Sequence, residues 1–309
     1  MATGLGFALR FAAVEVVPPL WAARAVTLVV SGGVIAAVAG PETSAATRDM
    51  FGQDLEFMGV FLMTGVFNVC NLLATAMVTF PDSKANRSGN CTTTSRLFSL
   101  NVDELWTIIA RRQFIVPMLV ATIGWAAMGM PMSLVRIAME QLGYTTTDSL
   151  RVVELHFLGM YGPGFFTGNL IKAFGPQAIS WVGVVLFAVA QAVAFLPDEN
   201  ESDSIWLWSV SLILVGVAWN FCFTASTVWV LQKGPPESKA TLQAANDCLM
   251  FLLAGAGIFA SSYIYEAGSS DGETGLLDGW YTLNWVAIGL NGFMAVMLLV
   301  DALLDRIHL

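Results

Sequence analysis

Six stretches without a single Asp, Glu, Lys or Arg constrain this chain more than any other feature: residues 57–81, 113–135, 173–197, 204–232, 248–265 and 279–300. A helix rises about 1.5 Å per residue, so about 20 apolar residues cross the roughly 30 Å hydrocarbon core of a bilayer. Lipid offers the backbone no hydrogen-bond partners, so runs of this kind must be helical. Three weaker spans join the six. Residues 25–41 are charge-free but short, residues 152–171 carry Glu154 and His156, and residues 1–17 carry Arg10 and Glu15. The prediction is an all-α polytopic membrane protein with nine transmembrane helices. Charged residues make up 12% of the chain, against about 25% in a soluble domain.

The net charge of −9 is compatible with a membrane protein once the charges are mapped, because orientation follows Lys and Arg and not net charge. With residues 82–112 inside the cell, Arg24, Lys84, Arg87, Arg96, Arg111, Arg112, Lys172, Lys233, Lys239 and Arg306 all face the cytoplasm. Arg48, Arg136 and Arg151 face out. The acidic loops, Asp198 to Asp203 and Glu266 to Asp278, then lie outside, where solvation is reason enough for them.

The spans divide the chain into residues 1–80 with three helices, a cytoplasmic linker at 81–112, and residues 113–309 with six helices. Pro18-Pro19 stops the first helix, and Gly40-Pro41 is expected to stop the second. Gly32, Ala36 and Gly40 share a face of that second helix and suit close helix contact. Asn68 and Asn71, inside the third, read as bonds to a neighbouring helix or as ligand contacts. The segment 81–96 is too polar to order itself. From Asn101 to Arg112 an apolar face of Val102, Leu105, Trp106 and Ile109 predicts an amphipathic helix on the inner surface, with Arg111 and Arg112 at its C-terminus.

No Gly-rich phosphate loop, zinc spacing or triad spacing is present, and Cys70, Cys91, Cys222 and Cys248 form no disulfide framework or metal set. Nothing in the sequence calls for a cofactor, an enzymatic reaction or a nucleic-acid partner. The partners it does suggest are lipid, a small organic solute of unspecified identity, and protons.

Four places in the spans carry the candidate chemistry. His156 is an ionisable group inside a helix, where such groups face a cavity or a partner. It reads either as a proton carrier or as the donor of a structural bond to another helix. Glu154, two residues away, points to a different side of the helix. It is either a second proton site or an interfacial residue beside Arg151. Arg10, five residues before Glu15, reads as a cavity residue or as half of an ion pair with no solute contact. Trp219 and Asn220, in the long span 204–232, combine an aromatic ring with an amide. That pairing holds polar organic molecules well, and helix-to-helix bonding is the equal alternative. Asn246 and Asp247 are expected to begin a helix, with Asp247 on its N-terminus.

Several of these segments together resemble the major facilitator superfamily. Gly168, Lys172 and Gly175 match its tight basic turn between neighbouring helices. Ala36 with Gly40-Pro41 is similar to the fifth-helix motif of its drug–proton antiporters, with alanine where a glycine is usual. Gly4-Leu-Gly6 resembles the end of the fourth-helix motif. Gly216 to Phe221 and Pro236 to Asp247 resemble bacterial permeases of the superfamily. The resemblance implies alternating access by two helix bundles around a site near the bilayer midplane. It also implies a cytoplasmic gate of Asp247 with Lys172 or Lys239, and proton-coupled movement of a small organic solute with export favoured over import. A membrane protein that acts as a receptor or assembly partner without transporting is the alternative. On this pattern residues 2–80 correspond to helices four to six and residues 113–302 to helices seven to twelve. Nothing at Met1 explains how an outside start would be translocated. In-frame sequence encoding three further spans is therefore expected upstream.

Overall fold

The computed structural model describes residues 13–14, 17–55, 57–77, 107, 109–197, 205–233, 239–269 and 275–307. Ten α-helices order these residues, and no strand occurs among them. They are α1 (Ala22–Ser31), α2 (Gly33–Thr47), α3 (Met58–Ala76), α4 (Arg112–Gln141), α5 (Thr146–Tyr161), α6 (Gly164–Phe174), α7 (Pro176–Val193), α8 (Ile205–Lys233), α9 (Lys239–Ser269) and α10 (Asp278–Ile307). Local signals set several boundaries. The Thr145 side chain accepts from the backbone N–H of Asp148 at 3.2 Å, and the Asp148 carboxylate lies 2.6 Å from the Thr145 hydroxyl, a reciprocal cap that starts α5. Gly175 turns the chain from α6 into α7 at φ +84°, a conformation that disfavours any residue with a Cβ. Pro176 then takes the first position of α7, where its missing N–H is no loss.

Helix α8 is the axis of the molecule. It packs on α4, α5 and α7, and more lightly on α1, α6 and α9. Its closest approaches run through small residues. A Cβ at Gly216 would stand 2.5 Å from the Gly159 turn of α5, at the His156 carbonyl. One at Gly183 of α7 would stand 2.5 Å from Cys222 Sγ. Close approach of this kind replaces hydrophobic drive as the source of helix association in lipid. Helices α9 and α10 pack on the other side of α4. At one end of the bundle, Arg112 Nη1 donates to the Asp301 carboxylate at 2.8 Å and Nη2 to Asp305 at 2.5 Å. Gln177 of α7 donates to the other Asp301 oxygen at 3.2 Å. At the opposite end Trp280 donates to the Ala194 carbonyl, and the Tyr265 hydroxyl bonds Gln141. Arg24 of α1 and Asn169 of α6 also join their helices through a side-chain hydrogen bond.

Where the sequence predicts nine spans, the described residues hold seven helices long and apolar enough to cross a membrane. Two differences account for this. Residues 1–17 lie largely outside the described residues, with Arg10, Glu15 and Gly4-Leu-Gly6 among those left out. The segment 152–171 is not one helix, because the chain breaks at Gly162-Pro163 into α5 and α6. Pro163 brings no N–H and its ring crowds the preceding turn.

Other local expectations also change. Pro41 does not end the second span, since α2 runs through it to Thr47. Gly32, Ala36 and Gly40 are exposed, and a Cβ at Gly40 would meet nothing within 4 Å. The contact face lies one residue on: Gly33 sits against the Tyr161 ring and Ala37 is buried. Asn68 donates to Thr64 of its own helix at 2.8 Å instead of to a neighbour, and α3 is exposed along nearly its whole length. Arg112 opens α4 and does not close an amphipathic helix. Asp247 sits in the third turn of α9, which starts at Lys239, so it does not cap that helix. The linker through Trp106 lies outside the described residues.

Candidate functional site

Trp219 is the fifteenth of the 29 residues of α8, at its midpoint. Four residues later, on the same face, Phe223 stacks on it with centroids 4.8 Å apart and planes 11° from parallel. Trp125, near the middle of α4, meets Trp219 edge-on at 5.2 Å and Phe251 of α9 at 5.4 Å. Tyr161, the last residue of α5, presents its ring edge-on to Trp219 at 6.1 Å. Four helices thus bring five rings together at mid-depth. Trp219 and Phe223 are buried, while Trp125, Tyr161 and Phe251 are half-buried and form the open side of the group. Each well-placed ring pair contributes about 0.5–1.5 kcal/mol beyond area burial. The Trp219 indole N–H is buried without a hydrogen-bond partner among the described residues. Such an orphan costs about 1–3 kcal/mol, and a solute with an acceptor would relieve it. Flat rings flanking an unused donor suit a planar, acceptor-bearing organic molecule.

Asn220, the next residue, turns to the neighbouring side of α8, toward α5 and α6. Its Nδ2 donates to the Met160 carbonyl at 2.7 Å, and its Oδ1 accepts from the Thr167 hydroxyl at 2.8 Å. Both bonds are buried, so Asn220 is engaged with α5 and α6.

His156 is buried between α5 and α8, with Nδ1 2.7 Å from the Leu212 carbonyl. A carbonyl can only accept, so Nδ1 carries the proton. Nε2 has no partner among the described residues. Glu154 is half-buried and makes no ion pair among the described residues. Gly164 and Gly168 lie against α1, where a Cβ at Gly168 would come within 2.6 Å of Thr27 Oγ1. Lys172 is exposed in the last turn of α6. Asp247 is half-buried and accepts from Asn246 at 3.2 Å. Lys172 forms no ion pair with it among the described residues. The structure therefore joins Trp219 and Asn220 to the end of α5, and keeps the turn at Gly175 apart from them.

Trp125, Tyr161, Phe223, Phe251 and Thr167 escape the sequence reading, in which aromatic residues merely fill apolar helices. One signal was available. Trp125 and Trp219 stand near the centres of two charge-free runs, and Phe223 is one turn from Trp219.

A family profile described as "Major Facilitator Superfamily" matches residues 1–258. The chain is 30% identical over 293 residues to the riboflavin transporter RfnT of Brucella anthropi, covering 94% of this chain and 67% of that protein. It is also 30% identical over 127 residues to the uncharacterized MFS-type transporter YddS of Bacillus subtilis, covering 41% of this chain and 28% of that protein. For YdeG of the same organism, also an uncharacterized MFS-type transporter, the figures are 29% over 153 residues, 49% and 34%. The chain thus spans about two thirds of the length of the first relative and about a third of the other two.

Proposed function

The chain belongs to the Major Facilitator Superfamily of integral, multi-pass membrane proteins, and on that premise we propose that it carries a flavin-like solute across the membrane by alternating access. The group of rings around Trp219 carries this reading. A fused heteroaromatic ring would stack against Trp125, Tyr161 or Phe251 and offer a carbonyl or ring nitrogen to the Trp219 indole. The similarity to a protein named for riboflavin supports the same solute class. In reconstituted vesicles, riboflavin flux should be saturable. Trp219→Ala should raise half-saturation about two- to tenfold, the equivalent of one lost hydrogen bond to the solute. Flux no greater than in empty vesicles would refute the proposal. Flavin binding without flux would favour a receptor instead.

A proton-coupled form of the cycle, run in the direction of efflux, is the finer proposal. The unpartnered Nε2 of His156 supports it, because a buried lone pair inside the helix bundle can take up a proton when water reaches it. Glu154 is the second candidate on the same helix. The bond to Leu212 supports the competing structural role.

A further inference from the structure

We propose that Asn220 is a latch across the break between α5 and α6, a positioning residue that links the aromatic group to the helix packed on α1. The inference rests on the transport reading only for its role in the cycle; the latch itself stands on geometry. The last carbonyls of a helix have no intrahelical donor, and a proline follows α5 that cannot supply one. Met160 is among the last four residues of α5, and its carbonyl takes the Asn220 amide instead. On the far side of the break, the Thr167 hydroxyl of α6 lies 2.8 Å from Asn220 Oδ1 and 2.8 Å from the Pro163 carbonyl, and shares its one proton between them. One amide therefore spans both half-helices.

The two half-helices have different main neighbours, although α5 also packs on α2 and α6 lightly on α8. Helix α5 is tied to α8 through His156 and Leu212, and through the Gly159 and Gly216 contact. Helix α6 is tied to α1 through Gly164, Gly168 and the Arg24–Asn169 bond. Among the described residues, Thr167 to Asn220 is the side-chain hydrogen bond that joins α6 to α8. If α6 moves with α1 while α5 stays on α8, the chain must bend at Gly162-Pro163 and this bond must break. Tyr161 is the last residue before the break. It touches Trp219 on one side and Gly33 of α2 on the other, so a solute that shifts Trp219 or Tyr161 also disturbs the latch.

The test uses the full chain in nanodiscs with its four cysteines replaced and spin labels at the exposed positions Arg151→Cys on α5 and Lys172→Cys on α6. The parent should give one narrow distance distribution. Asn220→Ala should add a second population, and the near-isosteric Thr167→Val should do the same without removing a buried amide. The double variant should match Asn220→Ala, because the bond that Thr167→Val removes is one of the two that Asn220→Ala already removes. In flavin flux, both single variants should lower the maximal rate and leave half-saturation unchanged. Unchanged distances in both single variants, or additive changes, would overturn the latch. A parent that carries no flavin would overturn the transport reading and still leave the distances to decide the latch.

Discussion

At the scale of single residues, His156 and Asn220 show how a polar group becomes tolerable in a span. Each gives its donor to a backbone carbonyl of a neighbouring helix, Leu212 for the imidazole and Met160 for the amide. The sequence marks both as unusual, because a polar group in an apolar run has to be satisfied. It cannot say by what, since the partner lies 56 or 60 positions away. His156→Asn separates the two roles of the histidine. An asparagine amide can still donate toward Leu212 but cannot titrate. If His156 carries protons, flux in this variant should persist and lose its dependence on a pH gradient. A pH response equal to the parent's would assign the histidine to structure alone.

At the scale of elements, what is legible depends on how many residues carry the signal. Long charge-free runs average over 20 or so positions and mark six of the seven spans, with the shorter run 25–41 marking the other. A proline at position 163 inside an apolar run marks a bend in the sequence. The Asn220 side chain that bonds both sides of the break comes from a distant part of the chain. The contact face of α2 is illegible for a simpler reason: Gly32 and Gly33 are adjacent, as are Ala36 and Ala37, so two faces are equally small. Gly216 tests the importance of close approach directly. Gly216→Val would drive a side chain into the His156 carbonyl, 2.5 Å from the added Cβ. The expected loss is about 1–3 kcal/mol, as for other overpacked sites, read as a lower unfolding midpoint in detergent. A comparable valine at Gly40, which faces open space, should leave the midpoint near the parent value. Equal midpoints for both would mean that α5 and α8 do not depend on that contact.

At the scale of the whole molecule, the helices along the central axis bury their sides in protein and the outer ones show apolar side chains to their surroundings. Phe61, Leu72, Phe259, Phe293 and Val296 are all more than half exposed, as lipid-facing positions should be. The exposed length of α3 and the half-open ring group lie on surfaces that the described residues leave uncovered. The sequence shows which residues are apolar, but neither lipid contact nor burial in protein changes that pattern, because both favour the same side chains. Alternating access makes a prediction at this scale. Arg24→Ala removes the bond to Asn169 at one end of the α1 and α6 pair. It should shift cysteine labelling between the two ends of the molecule while leaving the melting curve of α7, α8 and α10 unaltered. Labelling unchanged at both ends would mean that α1 and α6 do not move as a pair.

The pairing of Arg112 with Asp301 has a consequence for biosynthesis. The two residues are 189 positions apart, so at about 5–20 residues per second the ribosome delivers the arginine about 10–40 s before the aspartate. Throughout that interval α4 must wait at the membrane with its guanidinium answered by lipid phosphate or water. A helix made late therefore completes one made early in this part of the chain, and quality-control proteases have that long to inspect it. In a pulse-chase experiment Asp301→Leu should shorten the lifetime of newly made protein, because Arg112 then keeps only Asp305, and adding Arg112→Leu should lengthen it again, because the charge left behind, Asp305, is exposed to water. Equal decay of all three proteins would mean that the ion pair forms too late, or matters too little, for the cell to notice.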